Sequence, residues 1–189
     1  MQRRQLFRQL SRAAATLAWQ QLFMSNASAQ VEVMPWTTST NVFSLGVASG
    51  EPRPDSVVLW TRLAPLPSMA DGGMPPRPVS VIWEVAHDEK FFRVARSGST
   101  LALPERAHAL HLDVEGLAPG REYFYRFIAA GHVSPIGRTR TAPDPASRPA
   151  RLKMALASCQ HYEAGHFTLH REMAEADLDL VLFVGDYIY

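Results

Sequence analysis

The chain has a single cysteine, Cys159, so no intramolecular disulfide can form and a disulfide-stapled fold is excluded. In an exported protein a lone thiol risks oxidation and mispairing, a risk that a buried or metal-bound thiolate escapes. Acid is missing from residues 1–29, which hold Arg3, Arg4, Arg8 and Arg12. Without those arginines, the 19 basic residues of the chain fall below its 18 acidic ones. The remainder therefore has no basic footprint, and nucleic-acid binding loses its support. There is no Gly-rich phosphate loop and no serine-elbow motif, so covalent serine chemistry is unsupported. Internal repeats and low-complexity tracts are lacking too. What is left, 47% hydrophobic and 20% charged, is ordinary for a soluble globular protein of one or two domains.

Residues 1–29 read as a cleavable export signal. Arg3-Arg4-Gln5-Leu6-Phe7 is a twin-arginine pair followed by apolar residues. Leu6 precedes Phe7, the reverse of the usual twin-arginine order. Residues 13–24 are alanine-rich and broken by Gln20 and Gln21. That stretch is too short and too polar to span a bilayer stably. Ala27-Ser28-Ala29 is a small-x-small cleavage site, placing the mature start near Gln30 and leaving residues 30–41 as a short N-terminal segment. The expected destination is the periplasm or the extracellular space, with the twin-arginine export machinery as partner. That machinery moves folded proteins, which suits a metalloprotein loaded before export. The alternatives are an ordinary secretory signal and a merely amphipathic basic N-terminus.

Residues 42–141 predict an all-β sandwich. Val57-Val58-Leu59-Trp60 is a short apolar run suited to a sandwich core. Val79, Val81, Trp83 and Val85 alternate with more polar positions, as do Leu110, Leu112 and Val114, and Tyr123, Tyr125 and Phe127. Gly and Pro clusters at 52–54, 71–78 and 116–120 separate the runs. Leu117, Pro119 and Tyr123 form a leucine, a proline turn and a tyrosine entering a strand. Fibronectin-type sandwiches pin a corner in this way, the tyrosine hydroxyl bonding to nearby backbone. Tyr123 is structural on any reading. Residues 142–150, with Pro143, Pro145 and Pro149, read as a linker.

After Arg151 the pattern changes to strand, helix, strand. Residues 152–158 are strand-like, residues 167–176 are rich in helix formers, and residues 179–185 are a continuous apolar strand. This is the opening of a parallel sheet with crossover helices. One such unit cannot cover both faces of a parallel sheet. Residues 151–189 are therefore expected to begin a larger α/β domain, with the chain stopping inside it.

Handedness builds a site from this unit. Two parallel strands joined by one helix end on the same sheet edge, where ligands of open α/β sheets collect. Cys159 follows the first strand, and Asp186 follows the second within Gly185-Asp186-Tyr187-Ile188-Tyr189. Tyr189 reaches back from the turn. Thiolate, carboxylate and phenolate together bring three negative charges, which suits iron(III). Zinc more often takes histidine and cysteine sets, and calcium or magnesium takes oxygen alone. Asp186 has two oxygens and could bridge a second ion. Two ions about 3.5–4 Å apart clamp a phosphate and generate hydroxide as nucleophile. Each residue also has a plainer role: Cys159 as a small core residue, Gly185-Asp186 as a turn, Tyr189 as packing. His166 and His170, spaced i, i+4, are a possible helical pair, but no third ligand completes a zinc motif. His161 and Glu163 are weak candidates for the pocket mouth.

At these residues the chain resembles the alkaline phosphatase D (PhoD-like) family. Residues 43–50 and 56–63 are similar to that family's N-terminal sandwich. Ala157-Ser158-Cys159-Gln160 resembles the segment that supplies its cysteine ligand, and residues 177–189 resemble its second metal segment. The resemblance implies a fibronectin type III-like sandwich joined to an α/β metallophosphoesterase domain. It further implies hydrolysis of phosphate monoesters and diesters, export by the twin-arginine route, and a dinuclear site of iron(III) and calcium. Cys159 and Tyr189 would hold iron, and Asp186 would bridge iron to calcium. Purple acid phosphatases share Gly-Asp-x-x-Tyr but usually carry aspartate where Cys159 stands. Glu51 stands where the family usually has aspartate, and it receives no role. The family's later asparagine, aspartate and histidine ligands are not in these residues, so the chain alone is expected to have little activity. The competing reading is a non-enzymatic secreted sandwich that binds polymer or protein through Trp60 or Trp83.

Overall fold

The computed structural model describes residues 36–189, so the export signal read at residues 1–29 lies outside the described residues. In chain order the strands are β1 (Val47–Gly50), β2 (Ser56–Arg62), β3 (Val79–Ala86), β4 (Val94–Ala102), β5 (Ala109–Glu115), β6 (Glu122–Ala129), β7 (His132–Val133), β8 (Gly137–Arg140), β9 (Met154–Ala157) and β10 (Leu180–Phe183). One helix, α1 (Thr168–Glu175), lies between β9 and β10.

Alternation sorts β1 to β8 into two antiparallel sheets. The first has the order β1-β2-β5. The second runs β4-β3-β6, with β7 and β8 on successive stretches of the outer edge of β6. Val57, Leu59 and Thr61 point inward from β2, Val81 and Val85 from β3, Leu110 and Val114 from β5, and Tyr123, Tyr125 and Phe127 from β6. All are buried, and all but the polar Thr61 meet in one apolar cluster that Phe43 and Val42 close from the preceding loop. Each fully buried apolar side chain of this kind contributes roughly 1.5–3 kcal/mol. This is the all-β sandwich that the alternation predicts.

Two devices hold the corners. The Ala118 N–H donates to the Tyr123 hydroxyl at 2.8 Å, fixing the turn into β6 as expected of a tyrosine corner. The Tyr125 ring lies flat against Gly137 of β8, where a Cβ would overlap the phenol. Burial pushes the Tyr125 phenol up to about 12, so it serves there as a neutral hydrogen-bonding group, partnered by Ser49. Trp83 is only half-buried. It flanks the core and covers Gly98 of β4, its cross-strand partner, so the alternation overstates its depth. Trp60 sits half-buried on β2 of the other sheet. The two tryptophans do not share a face, which leaves a common aromatic platform without a basis.

Past the sandwich, Asp144 orders a turn by accepting from the Ala146 N–H at 2.8 Å. β9 and β10 then pair in parallel, Met154 against Leu180 through Ala157 against Phe183. Both strands are shorter than the apolar runs suggest. Asp179 accepts from the Lys153 N–H at 2.9 Å and from the Arg140 guanidinium of β8 at 2.5 Å, clipping the start of β9 to the start of β10 and both to the sandwich. Arg138 and Lys153 add looser pairs to Asp177, at 3.8 and 3.9 Å. Among the described residues no helix is long and apolar enough to cross a membrane.

Tyr123→Phe should lower the unfolding free energy of the sandwich by about 1–2 kcal/mol, the cost of leaving the Ala118 N–H unpaired. Urea denaturation checks this, and an unchanged midpoint would deny the corner its role. His87 gives a pH-dependent term. Its ring lies tilted against Tyr123, centroids 5.2 Å apart, and its Nδ1 is buried without a partner. Burial first, then the charges of Arg121 and Arg93, hold the imidazole below its ordinary 6.5 against the pull of Asp88. The unfolded chain therefore binds the proton more readily than the native one. Stability is whole above about pH 6.5 and declines as pH falls below it. His87→Asn should flatten that slope in melting curves taken between pH 5 and pH 7.

Candidate metal centre

The site begins where the β9 and β10 ladder ends. The Val184 N–H donates to Ala157 O at 3.0 Å, extending the pairing one residue beyond β10. Both chains then turn into left-handed backbone, with φ of 57° at Cys159, 102° at Gly185 and 43° at Asp186. Glycine accepts this freely. Cysteine and aspartate do so only at a cost of about 1–3 kcal/mol each, and such strain collects at functional sites. The strained turns are laced together. The Gln160 N–H donates to Asp186 O at 3.4 Å, the Tyr189 N–H to Gln160 O at 2.7 Å, and the Tyr162 N–H to Tyr189 O at 3.1 Å.

This lacing brings Cys159, Asp186 and Tyr189 together. The Cys159 thiol donates to Asp186 Oδ2 with sulfur and oxygen 3.8 Å apart. The Tyr189 hydroxyl lies beside both. The sulfur is exposed, not packed into hydrocarbon. The Asp186 carboxylate first, then desolvation and the neighbouring Cys159 sulfur, push the Tyr189 phenol up to about 12. Thiol, carboxylate and phenol side by side are all groups that ligate metal ions. The spacing fits one ion. A metal–sulfur bond of about 2.3 Å and a metal–oxygen bond of about 2.1 Å together exceed the gap to be spanned. Among the described residues no three histidine, cysteine, aspartate or glutamate side chains cluster as a ligand set, so this trio depends on its phenol.

The histidines are arranged otherwise than their spacing suggests. α1 starts at Thr168, with Phe167 left-handed at its N-cap, so His166 precedes the helix and does not share a face with His170. His170 turns to Gln160, its Nε2 lying 2.5 Å from Gln160 Oε1. His161 and Glu163 are exposed, Glu163 within a short 3-10 turn, Tyr162–Ala164. His161, His166 and His170 line one open cleft of about 850 Å³ beside Cys159. Glu51 is exposed, with a left-handed φ of 46°, and lines the groove between the sandwich and β10. Sequence reasoning passes over Gln160, the residue that ties the two turns together. Its place next to Cys159 is the only hint the sequence offers.

Residues 26–143 match the family described as PhoD-like phosphatase, N-terminal domain, and residues 154–189 match PhoD-like phosphatase. Alkaline phosphatase D of Bacillus subtilis (strain 168) is 50% identical over 151 residues, which is 80% of this chain and 26% of that protein. A solved structure of PhoD superimposes with a TM-score of 0.78 at 49% identity, covering 81% of this chain and 29% of that one. The chain thus spans about a quarter of the length of these relatives. A human fibronectin type III domain is similar at a TM-score of 0.39 and 12% identity, over 55% of this chain and 76% of that one, which adds nothing to the strand order described above. With both family segments matched in the order in which the sandwich and the β9-α1-β10 unit follow one another, the chain belongs to the PhoD-like phosphatase family.

Proposed function

We propose that the chain contributes the sandwich and the first metal-holding turns of an exported phosphoesterase acting on phosphate monoesters or diesters. The observation that carries this reading is the meeting of Cys159, Asp186 and Tyr189 at the carboxyl edge of one parallel strand pair. Cys159 and Tyr189 are the residues for iron(III), since thiolate beside phenolate favours a small trivalent ion over calcium or magnesium. Asp186 turns Oδ2 towards the sulfur, and its carboxylate would serve both iron and a neighbouring calcium. When bound, the ions supply Lewis acidity towards phosphoryl oxygens and an activated water. The chain's own part is to hold three donors at a fixed spacing before any ion arrives. The matched Bacillus protein is named as an alkaline phosphatase, which supports this substrate class.

Export is part of the same proposal. Arg3 and Arg4 with the Ala27-Ser28-Ala29 site suit the twin-arginine machinery and delivery to the periplasm or beyond. A two-ion site calls for more donors than the three that meet here. The 189-residue chain on its own should therefore hydrolyse p-nitrophenyl phosphate near background.

Iron titration tests the ligand assignment. The protein reconstituted with iron(III) should develop a visible charge-transfer band. Tyr189→Phe should remove its phenolate component. Cys159→Ser and Asp186→Asn should each weaken iron binding by more than about a hundredfold, beyond what the loss of an outer-shell partner costs. Equal iron uptake by all three variants and the parent would overturn the assignment, as would an iron-free, colourless protein that still turned over phosphate esters.

A further inference from the structure

We propose that Gln160 and His170 form a positioning pair that fixes the spacing of the Cys159 and Asp186 turns before an ion binds. The backbone of Gln160 joins both turns, giving its N–H to Asp186 O and accepting from the Tyr189 N–H. Its side chain reaches the other way. Gln160 Oε1 accepts from His170 Nε2 at 2.5 Å, which anchors the cysteine turn to α1. The other end of that amide, Nε2, is buried without a partner. An unpaired buried donor costs about 1–3 kcal/mol, so Gln160 is not explained by stability alone.

His170 is itself held on two sides. Its ring stacks on Phe183 at 6.3 Å and meets Phe167 edge-on at 5.8 Å. Phe183 in turn packs on Tyr187 at 4.8 Å, and Phe167 faces Tyr162 at 6.3 Å. Tyr187 belongs to the aspartate turn, and Tyr162 follows the cysteine turn. An aromatic chain therefore runs from one donor turn to the other by way of α1. His170 is its only member with a ring N–H, and that group reaches Gln160. Neither residue belongs to the trio of Cys159, Asp186 and Tyr189, so both would act through those side chains. Outer-shell partners of this kind typically govern metal affinity by about 10- to 100-fold.

The iron readout of this proposal rests on the function proposed above, so the test carries one measurement that needs no ion. His170→Phe keeps an aromatic ring in the stack and removes the donor. His170→Gln returns a donor, and Gln160→Leu removes the acceptor. In amide hydrogen exchange by NMR, His170→Phe and Gln160→Leu should each speed exchange at Tyr162 and Tyr189 about fivefold, the factor one ordinary hydrogen bond commands. Sandwich amides should be unaffected, and the double variant should be no worse than either single one. His170→Gln should recover most of the protection. Iron affinity should fall about tenfold in the first two variants and return in the third. Parental exchange rates in both His170→Phe and Gln160→Leu would overturn the pair, even if iron binds as expected. Faster exchange in a protein that takes up no iron in any form would uphold the pair and remove the iron assignment instead.

Discussion

The site depends on the register of a single parallel ladder. Ala157 pairs with Phe183, and the Val184 N–H reaches back to Ala157 O. In that register Cys159 stands level with Gly185. The left-handed step through Gly185 then brings the Asp186 carboxylate to 3.8 Å from the sulfur. A slip of one residue would reverse which face each strand presents and separate the donors. Position 185 is glycine because its φ of 102° is closed to a side chain without strain. Convergence of residues far apart in sequence thus comes down to a few backbone hydrogen bonds and one permissive turn.

Register needs an anchor at the opposite end, and Asp179 supplies it. One carboxylate oxygen accepts from the Lys153 N–H and the other from Arg140 of β8. The Lys153 N–H first, then the charges of Arg140, Arg151 and Lys153, hold this carboxyl below its ordinary range. An exposed ion pair contributes little to stability, about 0–1 kcal/mol. The value of Asp179 is therefore geometric. It starts two strands at the same height and fixes that height against the sandwich, whose β8 is itself set by Tyr125 on Gly137.

The parts of this architecture visible in the sequence are those that local physics dictates. Period-two alternation marks β2, β3, β5 and β6, because a half-buried strand permits no other pattern. The Tyr123 corner was legible because its turn chemistry is local. The Cys159, Asp186 and Tyr189 grouping was legible as a topological consequence of parallel strands. The errors share one cause. Residues 152–158 and 179–185 read as longer strands because apolar composition does not reveal that Asp179 is committed to Lys153 or that Gly185 turns. The i, i+4 spacing of His166 and His170 suggested a helical face, but Phe167 sits left-handed and the helix starts after it. Trp83 follows the inward alternation yet is drawn to Gly98 on the neighbouring strand. The contact between Gln160 and His170 is tertiary, and no periodicity announces it.

Strain and stability occupy different parts of the chain. Left-handed backbone at Cys159 and Asp186 and the unpaired Gln160 Nε2 cost about 1–3 kcal/mol each, several kcal/mol together. That sum is comparable to the whole net stability of an ordinary domain. Among the described residues the fully buried side chains belong to the sandwich, with Val57, Leu59, Val81, Val85 and Phe127 in one cluster. Arg138 and Arg140 dock the start of β10, through Asp177 and Asp179, to that core, and the parallel ladder carries this anchor to the strained turns. Cys159, Asp186 and Tyr189 are then held close together by backbone hydrogen bonds between their turns, with the strands beneath them anchored to the sandwich.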